Sequence, residues 1–162
     1  MPLLIILVYI FMDNVHSIVP QKEYQKRILT LDNDIQQIPQ LASFVDAVAE
    51  EAGIDFSEAM PLNLALEEAV VNVMQYAYPA GTHGTVTIEA VFNKEQLKFI
   101  LSDAGTPFDP TAKEDVDVSL EVVDREIGGL GIHLIRQIMD DISYEYKDGK
   151  NVLTLHKNIK RE

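Results

Sequence analysis

A carboxylate and a carboxamide lie four residues apart in the long apolar stretch from Leu64 to Tyr78. If this stretch is helical, Glu68 and Asn72 sit one above the other on a single helix face. Burying two such groups without a partner is costly. The pair makes sense if a metal ion, a phosphate or a substrate hydroxyl lies across that face. The competing interpretation is the solvated face of an ordinary amphipathic helix.

A second chemical signal is the run SDAGTPFDP at residues 102–110, directly after a strand-like segment. Asp103 can accept a hydrogen bond from an exocyclic amine, and Gly105 lets the backbone approach a flat ring. The same residue types also form ordinary turns. This run alone therefore does not identify a ligand.

A third signal is the glycine cluster at residues 128–131, immediately before a helical pattern. Glycines at a helix start expose unpaired N–H groups and the positive end of the helix dipole, which suits phosphate. No Gly-Lys-Ser/Thr follows, which excludes a Walker loop, and no clean strand precedes the glycines, which excludes a Rossmann fingerprint.

The elements that must position these motifs follow from hydrophobic periodicity and turn residues. A helix ended by Gly53 precedes the helix of Glu68, for which Ser57 is the predicted N-cap and Pro61 a first-turn residue. The predicted order is a strand at 27–31, helices at about 35–52 and 57–78, a hairpin of 85–92 with 97–101, a loop over 103–129, a helix from 132, and a hairpin of 142–147 with 152–156. Antiparallel pairs with gathered helices indicate an α+β two-layer sandwich.

Composition narrows the class of protein. The 162 residues, 47% hydrophobic and 24% charged, suffice for one globular domain. The absence of cysteine excludes disulfides, zinc-thiolate sites and cysteine nucleophiles. A net charge of −13 argues against a nucleic-acid-binding surface.

The N-terminus is unusual because residues 3–11 are all apolar. This run is short for a bilayer span, and it lacks the basic leader and cleavage site of a secretory signal. Three interpretations stay open: a buried strand paired with a sheet edge or another subunit, an exposed partner-binding segment, or non-native sequence from a misplaced start. We favour the last, with Met12 as the initiator. The predicted organisation is an apolar segment and linker at 1–25 and a single domain at 26–162.

Together, and in this order, the three motifs resemble the N, G1 and G2 boxes of the GHKL ATPase superfamily, which binds ATP in a Bergerat-type pocket. Within it, the chain looks most like the bacterial anti-sigma-factor serine/threonine kinases of the RsbW type. The sequences that carry the resemblance are LEEAVVN at 66–72, DAGTPFD at 103–109 and GGLGIHLIRQIMD at 128–140. The resemblance covers roughly residues 26–158. It implies a mixed, mostly antiparallel sheet with helices on one face.

The resemblance also implies roles for individual residues. Asn72 would ligate the Mg²⁺ of bound ATP, and Glu68 would be the catalytic base for a substrate hydroxyl. Asp103 would hold the adenine amino group, and Gly105 would give the ring room. The backbone that contacts the phosphates would belong to Gly129, Leu130, Gly131 and Ile132.

The segment at about 106–128 would form an ATP lid, and Arg125 within it is a candidate γ-phosphate contact. The chain departs from the family pattern at two positions. Tyr76 replaces a frequent His, and Asn151 replaces a Thr that lies near adenine in the family. Thr154 would take that place if the strand register shifted.

The resemblance implies an activity and a set of partners. The chain would be a cytoplasmic kinase that uses ATP and Mg²⁺ to phosphorylate a STAS-type anti-anti-sigma protein, and it would sequester a sigma factor by partner switching. It would form a homodimer, for which the strand at 27–31 is one pairing edge, with no direct nucleic-acid or membrane contact. The alternative is a nucleotide-gated regulatory binding module of the same fold that transfers no phosphate.

Overall fold

The strand segments at 85–92 and 96–103 alternate between buried and more accessible side chains, which is the pattern of a sheet with one covered face. A computed structural model describes residues 23–112 and 129–159. Its strands are β1 (Gln25–Asp32), β2 (Thr85–Phe92), β3 (Gln96–Asp103), β4 (Asp141–Lys147) and β5 (Lys150–Asn158). Their order in the sheet is β1-β2-β3-β5-β4.

Every neighbouring pair among these described strands is antiparallel. The predicted α+β sandwich is confirmed, but the expectation of a mixed sheet is wrong for the described residues. The physical reason is the connectivity, because short hairpins join β2 to β3 and β4 to β5.

Three helices cover the buried face of the sheet. They are α1 (Ile38–Ala52), which follows a 3₁₀ turn at Ile35–Gln37, α2 (Phe56–Asn72) and α3 (Gly129–Ile138). Gly53 ends α1 in the left-handed conformation, as predicted, with a φ of 76°. The core between the layers includes Phe92 and Phe99 from the sheet and Leu62 and Leu66 from α2.

The start of α2 differs from the prediction. The N-cap is Asp55 rather than Ser57, because the carbonyl of Asp55 accepts the backbone N–H groups of Glu58 and Ala59. Pro61 therefore lies in the second turn of α2, inside the helix, and not in its first turn. A proline at this depth removes one intrahelical hydrogen bond.

The end of α2 continues into a single π turn at Val73–Ala77. π turns are rare in proteins, and those that occur are often found at functional sites. At the far edge of the sheet, Asp148 and Gly149 adopt φ values of 53° and 75°, which suit the two-residue turn between β4 and β5. The resulting register pairs Asn151 of β5 with Asp103 of β3.

Several predictions lie outside the described residues. These are the N-terminal segment, most of the predicted lid, and Arg125. Within the described ranges, no helix is both long and apolar enough to cross a membrane.

Candidate active site

A cavity of about 420 Å³ opens between α2, α3 and the ends of β3 and β5. Its lining is mostly apolar, with a few polar groups, as is usual for small-molecule sites. The lining residues are Ala69, Asn72, Val73, Tyr76, Ala77, Leu101, Asp103, Thr106, Pro107, Phe108, Pro110, Ile132, Ile135, Tyr144, Asn151 and Leu153.

At one end of the cavity lies Asp103, the last residue of β3, which is 7% exposed. Its Oδ1 accepts the backbone N–H of Gly105 at 2.9 Å and the Nδ2 of Asn151 at 3.0 Å. Its Oδ2 accepts no hydrogen bond from residues 23–112 or 129–159. A carboxylate oxygen is thus available to a donor on a ligand in the cavity.

Asn151 uses its side-chain amide within the protein. Nδ2 also donates to the carbonyl of Thr106 at 3.1 Å. Oδ1 accepts the backbone N–H of Phe108 at 3.1 Å and the hydroxyl of Tyr144 at 2.7 Å. Asn151 therefore fixes Asp103 and the following loop in place, and its amide has little capacity left for a ligand. We call Asp103, Asn151, Tyr144 and Thr106 the Asp103 end.

The register of β5 decides between Asn151 and Thr154. Asn151 and Leu155 are buried on the helix-facing side of β5, and side chains three residues apart on a strand point to opposite faces. Thr154 therefore faces away from the cavity.

Tyr144 was missed by sequence reasoning. Burial is the main cause that raises the pKa of its hydroxyl above the usual 10.0, so the neutral hydroxyl donates a hydrogen bond to Oδ1 of Asn151. The alternation of apolar and polar residues along β4 was the available signal, because it places Tyr144 on the same sheet face as Ile142.

Gly105 is constrained by the protein itself. A Cβ at this position would collide with the carbonyl oxygen and the Cβ of Ala77. The backbone N–H of Thr106 donates to the same carbonyl at 2.7 Å. Gly105 is also not among the described residues that line the cavity. The glycine thus lets the loop after β3 pack against the π turn at the end of α2.

Tyr78 strengthens this junction and was also missed. Its hydroxyl accepts the backbone N–H of Ala104 at 3.1 Å and donates to the carbonyl of Thr85 at 2.6 Å. Its ring occupies the space where a Cβ on Gly84 would lie. One side chain therefore ties the end of α2 to the ends of both β2 and β3.

Asn72 lines the cavity away from Asp103 and adjoins Gly131, which also lies beside Glu68; we call Glu68, Asn72 and Gly131 the Glu68 end. A Cβ at residue 131 would lie 2.9 Å from Oε2 of Glu68 and 3.3 Å from Nδ2 of Asn72. The first turn of α3 therefore packs directly on the face of α2 that carries the acid and the amide. Glu68 and Asn72 are half-buried, and their side chains form no hydrogen bond or ion pair with the described part of the chain.

Several of the other residues predicted from the sequence also lie at this site. Ile132 lines the cavity, and Gly129 and Leu130 form the backbone of the first turn of α3. Tyr76 is 59% exposed at the cavity rim, where it presents a phenol in place of an imidazole.

The side chains at this site suit a cation that takes most of its ligands from a nucleotide and from water. The described residues contain no group of three or more His, Cys, Asp or Glu side chains placed to hold a metal. Mg²⁺ bound with a nucleotide takes one or two protein oxygens and completes its shell with phosphate and water. The amide oxygen of Asn72 fits this requirement.

Comparison with known proteins agrees with this geometry. Residues 31–157 match the histidine kinase-like ATPase domain family. The serine-protein kinase RsbW of Listeria monocytogenes serovar 1/2a is 32% identical over 113 residues, which is 67% of this chain and 72% of that protein. The serine-protein kinase RsbW of Bacillus mycoides is 32% identical over 119 residues, which is 71% of this chain and 73% of that protein.

A solved structure supports the fold. The structure of the RsbU and RsbW domains of Rv1364c from Mycobacterium tuberculosis superposes with a TM-score of 0.59 at 16% identity, over 82% of this chain. This chain spans 32% of that longer chain, so the likeness concerns the fold alone. From the family match and the relatives, the chain belongs to the histidine kinase-like ATPase domain family and, within it, to the serine-protein kinases of the RsbW type.

Proposed function

We propose that this chain binds ATP in the cavity and transfers its γ-phosphoryl group to a serine or threonine of a STAS-type anti-anti-sigma protein. The observation that carries the proposal is the arrangement of the cavity. Asp103 and Asn72 both line it, and the first turn of α3 packs against Glu68 and Asn72. A single nucleotide can therefore reach both ends.

The Asp103 end suits the adenine base. The unused oxygen of Asp103 can accept the exocyclic amino group, and the apolar walls formed by Leu101, Ile135 and Leu153 suit a flat ring. Gly105 contributes by allowing the loop to close on Ala77, which is a different role from giving the ring room.

The Glu68 end suits the phosphates and the acceptor. Backbone N–H groups at the start of α3 would face the phosphate oxygens, and Asn72 would hold Mg²⁺, which would neutralise charge on those oxygens. The acceptor hydroxyl oxygen attacks Pγ, the bond from Pγ to the bridging oxygen of ADP breaks, and the hydroxyl proton passes to the carboxylate of Glu68. Phosphoryl transfer of this kind depends mainly on positioning and charge stabilisation.

The partners form a further part of the proposal. We place the protein in the cytoplasm, where it would sequester a sigma factor and release it according to the bound nucleotide and the state of the STAS protein. β1 lies at an edge of the described sheet, with unpaired backbone groups along its outer side, which supports pairing with a second copy.

The test is incubation with γ-labelled ATP, Mg²⁺ and a STAS-domain protein that co-purifies with the chain. We expect label on a serine or threonine of that protein, located by mass spectrometry. Tight nucleotide binding without label on this partner would contradict phosphotransfer and would favour the nucleotide-gated binding module.

A further inference from the structure

One row of side chains on α2 changes character along its length. Residues four apart on a helix lie on neighbouring turns, and the row Phe56, Met60, Leu64, Glu68 and Asn72 follows this spacing. The first three side chains are large, apolar and 79%, 60% and 46% exposed. The last two are the acid and the amide of the Glu68 end. An exposed apolar stripe therefore leads directly to Glu68.

This stripe lies apart from the side of α2 that faces the sheet. The side of α2 that packs on the sheet is formed by other residues, which include Leu62, Leu66 and Val70, all at most 1% exposed. Three adjacent exposed apolar side chains are unfavourable on a free surface and mark sites of protein contact. Phenylalanine and methionine are also enriched at the centres of such contacts.

The charges around the stripe indicate what kind of partner fits it. α2 contains no Lys or Arg, Asp55 immediately precedes Phe56, and Glu67 lies three residues after Leu64 on a neighbouring turn. An apolar surface with an acidic rim complements an apolar patch with a basic rim. The chain as a whole, at a net charge of −13, adds to this attraction.

We propose that Phe56, Met60 and Leu64 form the docking surface for the protein whose hydroxyl is phosphorylated, and that this partner offers an apolar patch rimmed by Lys and Arg. This inference rests on the proposed function. A hydroxyl that donates to Glu68 belongs to a protein that must cover the surface next to Glu68, and Leu64 lies one turn away. The stripe extends about 18 Å from Phe56 to Glu68, a length suited to one half of a protein interface.

The experiment measures phosphorylation of a STAS-domain protein that the wild-type chain labels, with Met60→Lys as the variant. We expect KM for the protein acceptor to rise at least about 10-fold, because the change removes apolar contact and adds repulsion against a basic rim. The rate at saturating acceptor and the Kd for ATP should stay at wild-type values. The matched control is Ile35→Lys, since Ile35 is 54% exposed and lies in the 3₁₀ turn before α1, outside both α2 and β1.

Three outcomes would overturn the docking surface. An unchanged KM in both Met60→Lys and Phe56→Asp overturns the docking surface while the kinase proposal stands. A Met60→Lys variant that alters the oligomeric state in light scattering shows that a second copy covers the stripe, which also overturns it. A wild-type chain that binds ATP but labels no STAS protein removes both proposals together.

Discussion

The two ends of the cavity are built in opposite ways. At the Asp103 end, each polar group is held by another: Asp103 by Asn151, and Asn151 by Tyr144 and the loop backbone. At the Glu68 end, the side chains of Glu68 and Asn72 form no hydrogen bonds with the described part of the chain. The first arrangement fixes a shape before a ligand arrives. The second leaves polar groups available for chemistry.

This difference predicts different effects for substitutions at the two ends. Changes at the Asp103 end should alter stability and base selection, because they break an internal network. Changes at the Glu68 end should alter catalysis and leave stability intact, since few internal contacts are lost.

The largest effect is expected for Glu68→Gln. It keeps the size of the side chain but cannot accept the acceptor proton, so phosphotransfer should fall by about 10² to 10⁴-fold. ADP affinity and the free energy of unfolding should be unchanged, the latter within about 0.5 kcal/mol. Single-turnover labelling and urea unfolding measure the two quantities, and a wild-type rate would remove Glu68 as the base.

Asn151→Ala and Asn72→Ala compare the two ends directly. Asn151→Ala should lower the free energy of unfolding by about 1–3 kcal/mol, because the buried carboxylate of Asp103 and the half-buried hydroxyl of Tyr144 each lose a partner. Asn72→Ala should change it by less than about 0.5 kcal/mol. Equal losses in urea unfolding would contradict the difference between the ends.

Asp103→Asn should change which nucleobase the cavity prefers. The amide oxygen can keep the bonds from Gly105 and Asn151, so the amide nitrogen takes the place of the free oxygen. A donor then meets the adenine amino group, and ATP affinity should fall by about 10- to 100-fold. Inosine triphosphate, with an oxygen in that place, should bind the variant better than ATP. Calorimetric titration of both nucleotides checks this reversal.

The two constrained glycines should also behave differently. An added Cβ at Gly131 meets the flexible end of Glu68, so Gly131→Ala should fold normally and slow phosphotransfer by about 10-fold through misplacement of the base. An added Cβ at Gly105 meets backbone atoms of Ala77, so Gly105→Ala should destabilise the fold by about 1–3 kcal/mol. Circular dichroism melts and rate measurements on both variants test this difference. A destabilised Gly131→Ala together with a stable but slow Gly105→Ala would contradict it.

The smallest effect concerns pH. The folded state raises the pKa of Tyr144 above the 10.0 of an unfolded tyrosine, so its stabilising contribution is complete below pH 10 and declines as the pH rises through the folded pKa. Tyr144→Phe should therefore reduce the loss of stability above pH 10. The free energy of unfolding at pH 9 and pH 11 measures this loss in the wild type and in the variant. An identical pH dependence in the two would contradict the role given to Tyr144.

The sequence predicted much of the fold because local patterns specified it. Alternation identified β2, and the Asp148-Gly149 pair identified the final hairpin. The start of α2 was misjudged because Asp55 and Ser57 are both acceptable cap residues, and the backbone hydrogen bonds of the helix begin at the carbonyl of Asp55. Glu68, Asn72 and Asp103 were visible as polar residues in apolar surroundings.

The supporting residues could not be predicted, since their roles arise from contacts between distant segments. Tyr144 reaches Asn151 across a strand pair, and Tyr78 joins the end of α2 to the loop after β3. The π turn at residues 73–77 has no simple sequence signal, yet it places the Ala77 carbonyl against Gly105. The sequence thus pointed to Asp103 and Asn151, but not to Tyr144 and Tyr78, which support them.

The most direct test is a crystal structure of the chain with a non-hydrolysable ATP analogue and Mg²⁺. We expect the adenine amino group within hydrogen-bond distance of Oδ2 of Asp103, with the bonds among Asp103, Asn151 and Tyr144 unchanged. The terminal phosphates should lie beside Asn72 and the first turn of α3, with Glu68 facing the γ-phosphate. A base bound away from Asp103, or phosphates remote from Asn72, would contradict the account.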